Sequence, residues 1–584
     1  MNSPSTQRAL SKVLIANRGE IAVRVIGACR DYGLKTVAVY ADGDLDALHV
    51  RLADEALGLG GERADESYLD AHKLIAAAKR AGADALHPGY GFLSESADFA
   101  CAVIEAGLGW IGPDPDTIET LGDKVAARRL AREVGAPLVR GTEGPVADAD
   151  EVLAFAEAVG LPIAIKAAHG GGGRGLRIAR RMDEVVELYQ AAVREARNAF
   201  GRGECFVEQF LDRPRHIEAQ VLGDRHGQVV VVGTRDCSLQ RRNQKLVEEA
   251  PAPGLDEAQR ERIHRSARDI CAAAGYVSAG TVEFLLGEDG TLSFLEVNTR
   301  LQVEHPVTEE TTGVDLVIEQ LRIAEGQPLS LDTSPTPRGH SVEFRINAED
   351  AAKGFLPTPG RIERFAAPFG PGVRLDSGVT EGAEVSKHFD SLMAKLIVTG
   401  ANRAQAIARA RRALSQFEIA GVASTLPFHR AVMAHPDFTG EALRVHTRWI
   451  ETEFDGALEA GPRHLPAPAP GLYRTVIDID GRRHHIGLPL ELLSGLSGVG
   501  ERAEPGVDAP TAPAEGSVCA PIGGQLYAWQ AAHGARVEKG EVIAIMEAMK
   551  METQVIAERA GTLSHIAEEG AALSAGEALG RIEA

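Results

Sequence analysis

The sequence predicts a multidomain chain in which α/β and α+β domains are followed by a small all-β domain. Its 584 residues exceed what one hydrophobic core can organise, so we expect about three to five domains. Strand-like apolar runs alternate with helical segments early in the chain, which is typical of a parallel α/β layer. The last segment instead shows short strand-like runs separated by glycines.

Composition restricts the function classes. A net charge of −21 argues against nucleic-acid partners and against binding to anionic membranes. The 6 cysteines form no CxxC pair, which indicates reduced thiols and a cytoplasmic location rather than a disulfide framework. We see no signal peptide and no run of about 20 apolar residues that could span a bilayer.

The first hundred residues follow a strand–helix alternation that predicts a Rossmann-like domain. The predicted strands cover 12–17, 35–40, 85–87 and 110–112, and the predicted helices cover 21–30 and 69–81. No G-x-G-x-x-G follows the first strand, so nicotinamide binding has weak support. The segment HPGYGFLSE at 87–95 follows a strand end, where ligand loops lie in such sheets, although a plain Gly/Pro turn is an equal alternative.

A glycine-rich loop separates two further strands. The first, 161–167, carries Lys166, and HGGGGRG at 169–175 leads to a strand at 176–179. Glycines expose backbone N–H groups that can close over phosphates, whereas the alternative is a flexible hairpin loop. The loop is not a Walker A motif, because no GK[ST] leads into a helix. Upstream, GDK at 122–124 begins a helix with Asp123 near its N-terminus.

Two later strands bring acidic residues together. The strand 279–286 carries Glu283, and the hairpin partner 292–300 carries Glu296, so the two carboxylates can lie side by side. Adjacent carboxylates with substrate phosphates are a set that Mg²⁺ takes. The alternative is an exposed polar strand face with salt bridges.

The same strand continues towards more polar residues. If the backbone stays extended, Asn298, Arg300 and Gln302 share the face of Glu296. His305 follows, but no second His or Cys lies at ligand spacing, so we reject a zinc site.

Cations concentrate in two other segments. The segment 234–249 contains Arg235, Arg241, Arg242 and Lys245, which predicts an anion site in so acidic a chain, with a solvated charge run as the alternative. Arg345 lies on a predicted strand at 342–347.

The C-terminal part begins with a helix at about 404–414, followed by a small β element at 473–490 and a Pro/Ala/acidic linker at 501–516. Residues 517–584 suit a small β-sandwich. Within them, EAMKME at 547–552 has β-branched flanks that place Lys550 at a hairpin tip. Taken alone, such a lysine is more often an ordinary surface residue.

Together these motifs carry a family resemblance. Residues 10 to 450 resemble the biotin carboxylase fold of the ATP-grasp superfamily, and 517–584 resemble a biotinyl carrier domain; the whole resembles alpha chains of actinobacterial-type acetyl-/propionyl-CoA carboxylases. The motifs are HPGYGFLSE, GDK, HGGGGRG, RDCSLQRRNQK, EVNTRLQVEHPVTE, EFRINAED and EAMKME.

The resemblance implies a domain order. It runs as a Rossmann-like pre-ATP-grasp domain (10–122), an ATP-grasp domain (123–332), a biotin carboxylase C-terminal domain (333–452), a connecting β region (453–500), a flexible linker (501–516) and an all-β biotinyl domain shaped as a flattened sandwich or barrel (517–584).

Roles for individual residues are likewise implied by the resemblance, grouped here by ligand. ATP contacts fall to Lys124, Lys166, Gly171, Gly172, Gly173, Glu208 near the adenine and His216 near the ribose. Mg²⁺ or Mn²⁺ falls to Glu283, Glu296 and Asn298. Bicarbonate falls to Lys245, Arg300, Gln302 and Val303, with Glu304 as the general base. Biotin falls to Tyr90 and Arg345 at its ureido ring and to Lys550 as the covalent attachment.

The implied reaction is carboxylation of biotin driven by ATP and bicarbonate. Glu304 would deprotonate bicarbonate, which attacks the γ-phosphoryl group, and Lys166, Lys245, Arg300 and the metal would neutralise charge. Three positions depart from the common pattern: Gln209, Asn243 and the segment Ala520-Pro-Ile-Gly523. The first two bear on nucleotide affinity, and the third bears on biotinylation.

The implied partners are a carboxyltransferase beta subunit, with a small epsilon subunit as a further candidate, and a biotin protein ligase, within a homo-oligomer and a larger hetero-oligomer. The pathway expected is fatty-acid synthesis. Alternatives are a component of a pyruvate, urea or methylcrotonyl-CoA carboxylase, a non-catalytic biotin carrier scaffold, and lipoate rather than biotin on Lys550.

Overall fold

The computed structural model describes residues 9–142, 144–167, 176–200, 202–440, 443–456, 458, 472–479, 482–489, 516–521, 523–548 and 551–583. Within this part of the chain, the fold is the predicted succession of α/β, α+β and all-β units. A search of the described helices finds none both long and apolar enough to cross a membrane.

The N-terminal unit is a five-stranded parallel sheet with helices, as the alternation predicts. Its elements are β1 (Lys12–Ile15), α1 (Gly19–Asp31), β2 (Lys35–Tyr40), α2 (Leu48–Leu52), β3 (Glu55–Gly58), α3 (Ala71–Ala81), β4 (Ala85–His87), α4 (Ala97–Glu105), β5 (Gly109–Trp110) and α5 (Pro115–Gly122). The strand order is β3-β2-β1-β4-β5. Val13, Leu14 and Ile15 are buried without alternation, because helices cover both faces of a parallel sheet.

A small antiparallel sheet follows. Its elements are α6 (Lys124–Glu133), α7 (Ala149–Val159), β6 (Ile163–Ala167), β7 (Arg177–Ala179), α8 (Val185–Phe200) and β8 (Cys205–Gln209). The β6 strand lies between β7 and β8. Asp123 caps α6 by accepting a hydrogen bond from the Ala126 amide at 2.7 Å, which agrees with its predicted place at the helix start. The glycines 171–173 lie outside the described residues.

The next elements form the larger part of the central sheet. They are β9 (Arg215–Gly223), β10 (Val229–Arg241), β11 (Gln244–Ala250), α9 (Glu257–Ala273), β12 (Ser278–Leu286), β13 (Leu292–Asn298), α10 (His305–Thr312), α11 (Leu316–Ala324) and β14 (His340–Asn347). The β13 strand ends at Asn298, so the extended backbone does not continue to Gln302 as the face-sharing argument assumed.

The elements up to residue 456 complete that sheet and cover it. They are β15 (Glu349–Asp350), β16 (Leu356–Pro357), β17 (Gly360–Arg361), β18 (Arg364–Ala366), β19 (Val373–Ser377), β20 (Glu384–Val385), β21 (Leu392–Gly400), α12 (Arg403–Gln416), β22 (Glu418–Ala420), α13 (Leu426–Val432), α14 (Pro436–Thr439) and α15 (Trp449–Thr452).

One antiparallel sheet of eight strands runs through this region, in the order β13-β12-β9-β10-β11-β14-β21-β19. The pair β11–β14 therefore joins the segment predicted as ATP-grasp to the segment predicted as the C-terminal domain. Side chains from both segments consequently project from one continuous surface.

The C-terminal strands form a hairpin and a sandwich. They are β23 (Leu472–Ile479), β24 (Arg482–Pro489), β25 (Ser517–Cys519), β26 (Gly524–Trp529), β27 (Arg536–Val537), β28 (Val542–Ala548), β29 (Met551–Ile556), β30 (Gly561–His565), β31 (Ala572–Leu573) and β32 (Ala578–Glu583). Two sheets, β25-β32-β30-β27 and β29-β28-β26-β31, enclose a core that includes Leu526, Ile543, Met546 and Leu563. The predicted β-sandwich is confirmed.

Candidate active site

A cleft of about 1030 Å³ separates the small β6–β8 sheet from the eight-stranded sheet. Most of the site residues predicted from the sequence line this one cavity. They are Tyr90, Lys124, Lys166, Glu208, His216, Lys245, Glu283, Glu296, Asn298, Arg300, Gln302, Val303, Glu304 and Arg345. Residues from three predicted domains therefore meet in one place.

Lys245 lies at the centre of the polar end of this cleft. Its ammonium group binds Glu283 at 2.9 Å and Glu304 at 2.8 Å, and it also pairs with Glu218. Burial acts to lower the pKa of Lys245, but the three carboxylates raise it well above its usual value. Lys245 is therefore a fixed positive charge in the cleft.

Glu304 is held from two sides. Its Oε1 accepts from Lys245, and its Oε2 accepts from the Arg345 guanidinium at 2.9 Å. Burial acts to raise the pKa of Glu304, but Lys245 and Arg345 hold it well below its usual range. Glu304 is consequently an ionised carboxylate at neutral pH.

Arg345 has a second carboxylate partner, Glu248, whose Oε1 accepts from its Nε at 2.6 Å. Burial raises the pKa of Glu248 to about 7, although Arg345 acts to lower it. Its other oxygen has no hydrogen-bond partner among the described residues. A protonated Glu248 is thus the state that burial favours near neutral pH.

Arg235 was predicted as one of four clustered cations, but it does not face the cleft. It is fully buried and donates hydrogen bonds to Glu218, Gln220, Thr281, Gln302 and Thr308. Its partners already occupy its donors, so it is a structural cation that orients Glu218 and Gln302.

Arg241 and Arg242 have other surroundings than Lys245. The Arg241 guanidinium lies over the Phe355 ring at 4.9 Å. Arg242 and Asn243 form the two-residue turn between β10 and β11, with φ of 47° and 65°. Asparagine tolerates positive φ well, which accounts for Asn243 at this turn. Arg242 lines the cleft together with Lys245, whereas Arg235 and Arg241 do not.

Glu283 and Glu296 are direct neighbours in register on β12 and β13, as predicted. Glu283 accepts hydrogen bonds from Asn298 at 2.8 Å and Gln302 at 2.9 Å, and Glu296 lies 3.4 Å from the Lys124 ammonium. With 35% of its side chain exposed, Glu296 faces the cleft, whereas Glu283 is buried. Two carboxylates and an amide oxygen at the cleft wall are oxygen ligands of the kind that Mg²⁺ takes, so this group fits such a cation.

Two other clusters bring potential metal ligands together among the described residues. They are His216, Glu218 and Glu283, and Glu218, Cys237 and Glu304. The Lys245 ammonium contacts the carboxylates of both clusters and already supplies the positive charge. We therefore assign no metal to either. His305, rejected as a zinc ligand, is buried and its Nδ1 lies 2.7 Å from the Gln302 carbonyl oxygen.

The nucleotide side of the cleft centres on Glu208. Its carboxylate pairs with Lys166 and with Arg128, the latter at 2.8 Å. His216 lies 2.9 Å from Glu283 and 3.3 Å from the Gln240 amide. His216 thus borders the carboxylate pair, and its pKa is raised because Glu283 outweighs the opposing effect of burial.

Tyr90 and Arg300 are both held by residues of the N-terminal unit. The Tyr90 hydroxyl donates to Glu20 of α1, and burial raises the pKa of Tyr90 well above its usual value. Arg300 binds Glu95 at 2.9 Å and the Asn298 oxygen at 3.0 Å. The segment 87–95 is therefore more than a turn, since it supplies both Tyr90 and Glu95 to this region.

Several residues at the site were not predicted from the sequence. Glu218 lies on β9 between His216 and Gln220, so alternate polar residues in an apolar strand were a usable signal. Arg128, Glu248, Glu20 and Lys395 gave no such signal, because their partners are remote in sequence.

The carrier lysine lies outside the described residues. The flanking strands β28 and β29 pair as predicted, with Ala548 opposite Met551. In the sequence, Lys550 stands between these two strands.

Four family models match the chain in succession. They are described as biotin carboxylase, N-terminal domain (9–118), carbamoyl-phosphate synthase L chain, ATP binding domain (123–332), biotin carboxylase C-terminal domain (343–452) and biotin-requiring enzyme (511–582).

The chain is similar to known proteins over most of its length. The chain is 54% identical to the biotin-dependent acyl-coenzyme A carboxylase alpha3 subunit of Mycobacterium leprae, over 98% of this chain and 99% of that protein. It is 47% identical to the propionyl-CoA carboxylase alpha chain of Ruegeria pomeroyi, over 77% of this chain and 69% of that protein. A Hydrogenobacter thermophilus 2-oxoglutarate carboxylase biotin carboxylase domain, solved with MgADP and bicarbonate, aligns with a TM-score of 0.71 and 46% identity, covering 76% of this chain and 98% of that one.

Replacing Lys245 tests the charge balance of the cleft. We expect Lys245→Met to lower the melting temperature and to reduce bicarbonate-dependent ATP hydrolysis by about 10²–10³-fold, because an uncompensated carboxylate cluster remains buried and a cation is lost. The double variant Lys245→Met/Glu218→Gln removes one of those carboxylates too. It should regain part of the melting temperature but no activity. Equal melting temperatures for all three proteins would contradict the balance.

Glu248 should make stability depend on pH. In the folded protein its pKa is raised from 4.5 to about 7, so its stability contribution is complete below pH 4.5 and is lost as pH rises towards 7. In the Glu248→Gln variant this position carries no ionisable group. We therefore expect the free energy of unfolding of the variant, relative to the unsubstituted protein, to rise between pH 5 and 7 and to level off above, by about 3 kcal/mol at most.

The neighbouring Glu249 is the matched control. His340 and Arg403 hold its pKa below the usual value although burial opposes them, so its contribution is present above the unfolded pKa and is lost at acid pH. Glu249→Gln should lower the melting temperature by a similar amount from pH 5 to 8. If both variants showed the same pH profile in calorimetry, the assignment for Glu248 would be wrong.

Proposed function

The chain belongs to the family of biotin-dependent acyl-coenzyme A carboxylase alpha subunits, and we propose that it carboxylates biotin held on its own Lys550 and delivers the carboxyl group to a separate carboxyltransferase. It is an ATP-dependent ligase of the biotin carboxylase type. The observation that carries the proposal is Glu304, ionised and held between Lys245 and Arg345, beside the Glu283–Glu296 pair in one cleft.

Bicarbonate is bound at the cationic end of the cleft. Lys245 and Arg300 supply positive charge there, and the amide of Gln302, whose orientation Arg235 fixes, together with Val303 supplies further hydrogen bonds. Glu304 accepts the bicarbonate proton. A carboxylate with so low a pKa is a weak base, so transfer requires Lys245 to turn part of its interaction from Glu304 to the substrate, which raises the basicity of Glu304.

ATP occupies the side of the cleft that Lys124, Lys166, Glu208 and His216 border. A divalent cation held by Glu283 and Glu296, with Asn298 beside them, would supply charge neutralisation at the phosphates. Lys166 leaves Glu208 to bind a phosphate, because both cannot be its closest partner at once.

Biotin enters between Tyr90 and Arg345. Bicarbonate attack on the γ-phosphoryl group gives carboxyphosphate and ADP, and carboxyphosphate breaks down to CO₂ and phosphate. The phosphate takes the proton of the ureido ring nitrogen while Arg345 stabilises the anion at the ureido oxygen, and the nitrogen then attacks CO₂; Tyr90 forms the wall. Because Arg345 also binds Glu304, the same guanidinium group takes part in the activation of bicarbonate and in the binding of biotin.

The acceptor and the partners follow from the relatives. Relatives named as acyl-coenzyme A and propionyl-CoA carboxylase alpha chains support an acyl-CoA acceptor, acetyl- or propionyl-CoA, carboxylated by a beta subunit for fatty-acid synthesis. A biotin protein ligase loads Lys550. An epsilon subunit and a homo-oligomeric core complete the proposed assembly.

Bicarbonate-dependent ATP hydrolysis tests the enzyme directly. We expect ADP release to require bicarbonate and Mg²⁺ and to increase when free biotin is added, since biotin takes up the activated carboxyl group. The measurement is a coupled ADP assay, with Glu304→Gln as the control that lacks the base. A folded protein that releases no ADP under these conditions would contradict the proposal.

Lys550→Arg separates the carrier from the catalyst. The variant keeps the positive charge but cannot be biotinylated, so acyl-CoA carboxylation with an added beta subunit should vanish while ADP release with free biotin stays unchanged. Mass spectrometry of the 547–552 peptide distinguishes biotin from lipoate on the unsubstituted lysine. Survival of acyl-CoA carboxylation in the variant would exclude Lys550 as the attachment site.

A further inference from the structure

A fully buried lysine, Lys395, lies beside Arg345 on the sheet that carries the catalytic residues. It belongs to β21, where it pairs in register with Arg345 of β14. Its ammonium donates to the Val303 carbonyl oxygen at 2.9 Å and lies 3.1 Å from the Glu20 carboxylate. Neither contact belongs to the chemistry described above, yet a buried charge is costly unless it is fully compensated.

Glu20 connects Lys395 to Tyr90. It lies in the first turn of α1, and its carboxylate binds Lys395 through Oε2 and accepts from the Tyr90 hydroxyl through Oε1. The buried Glu20 carboxylate thus links the Tyr90 ring to Lys395. The three residues come from different parts of the chain and meet only in the fold.

The Val303 carbonyl fixes the backbone at the base itself. Val303 directly precedes Glu304, which is the N-cap of α10, and α10 packs against β14. A charged hydrogen bond to the carbonyl of the peptide that leads into Glu304 restricts rotation of that peptide. The side chain of Glu304 is held by Lys245 and Arg345, and its backbone is held by Lys395.

A neighbouring acid does not compete for Lys395. Glu343 of β14 is buried, and neither of its carboxylate oxygens has a hydrogen-bond partner among the described residues. Burial raises the pKa of Glu343 well above its usual value, and both Glu343 and Asp376 act on Lys395 through longer-range attraction, whereas the Glu20 carboxylate contacts its ammonium directly at 3.1 Å. Glu20 is therefore the principal counter-ion of Lys395.

We propose that Lys395 and Glu20 are positioning residues that join the Val303–Glu304 backbone and the Tyr90 ring into one rigid unit across the cleft. The inference rests on the proposed biotin carboxylation, and it assigns the pair to coupling between the bicarbonate side and the biotin side. Displacing the base or the wall by about 1 Å is enough to slow such chemistry by about 10²-fold.

The pair is tested with Lys395→Met and Glu20→Gln in the full chain. In the ADP assay with free biotin, each should reduce kcat/KM for bicarbonate and for biotin by about tenfold or more, while KM for ATP changes less than about twofold. Tyr90→Phe removes only the hydroxyl, so it should raise KM for biotin and leave KM for bicarbonate unchanged.

Arg24→Met is the matched structural control. Arg24 also lies on α1 and bridges to Glu309 at 2.8 Å and Asp315 at 2.7 Å, but it touches no residue of the cleft. It should lower the melting temperature without changing either KM. If Lys395→Met and Glu20→Gln changed only the melting temperature, as Arg24→Met does, the inference would be overturned.

Hydrogen exchange separates this inference from the proposed function. In Lys395→Met, the amides of residues 302–305 should exchange at least about tenfold faster than in Arg24→Met, whether or not the protein hydrolyses ATP. If Lys395→Met does not fold, Glu20→Gln carries the same comparison with an isosteric side chain. Unchanged exchange at 302–305 in Lys395→Met overturns the positioning role. Faster exchange in Lys395→Met together with an inactive unsubstituted protein overturns only the enzymatic proposal.

Discussion

The cleft depends on compensation between buried charges around Lys245. Glu218, Glu283 and Glu304 contact its ammonium group, and all three are buried. Carboxylates so close together repel strongly in a medium of low polarity unless cations lie among them. Lys245, with Arg235 and Arg345 on the outer sides, meets that condition and keeps Glu283 and Glu304 ionised.

The continuous sheet explains how these groups reach one another. Alternate residues of β9, β10, β11, β12 and β14 project on one face, so Glu218 faces Arg235 and Glu283 across neighbouring strands. The face continues through Arg345 to Lys395 on β21. The catalytic wall is therefore built on rigid, paired backbone rather than on loops, which suits a reaction that depends on positioning.

The arrangement also sets a tension between holding the base and using it. The contacts that fix Glu304 lower its pKa, and a carboxylate with a low pKa is a poor proton acceptor. Arrival of an anionic substrate beside Lys245 relieves this tension, because the cation then divides its interaction between two anions. Basicity at Glu304 would thereby rise only when bicarbonate is present to donate its proton.

The sequence alone predicted the order of the domains, most strand positions and many of the polar residues that line the cleft. Local patterns suffice for this: apolar alternation defines strands, Asp123 caps a helix, and the hairpin from Glu283 to Glu296 is short enough to read directly. It misjudged Arg235, which lies in a cationic segment but is an internal structural residue. It also extended β13 past Asn298, because local pattern does not show where a strand loses its partner.

Only the tertiary structure decided which charges pair. Glu20, Glu248 and Lys395 carry no local signal, since Glu20 meets Lys395 from 375 positions away along the printed sequence, and their proximity exists only once α1, β11 and β21 pack around α10. The pKa values of Glu304 and Glu248 likewise diverge because of burial and neighbours, not because of residue type. Long-range Coulomb energies depend on distance and solvent exposure, and neither quantity is written in the order of the residues.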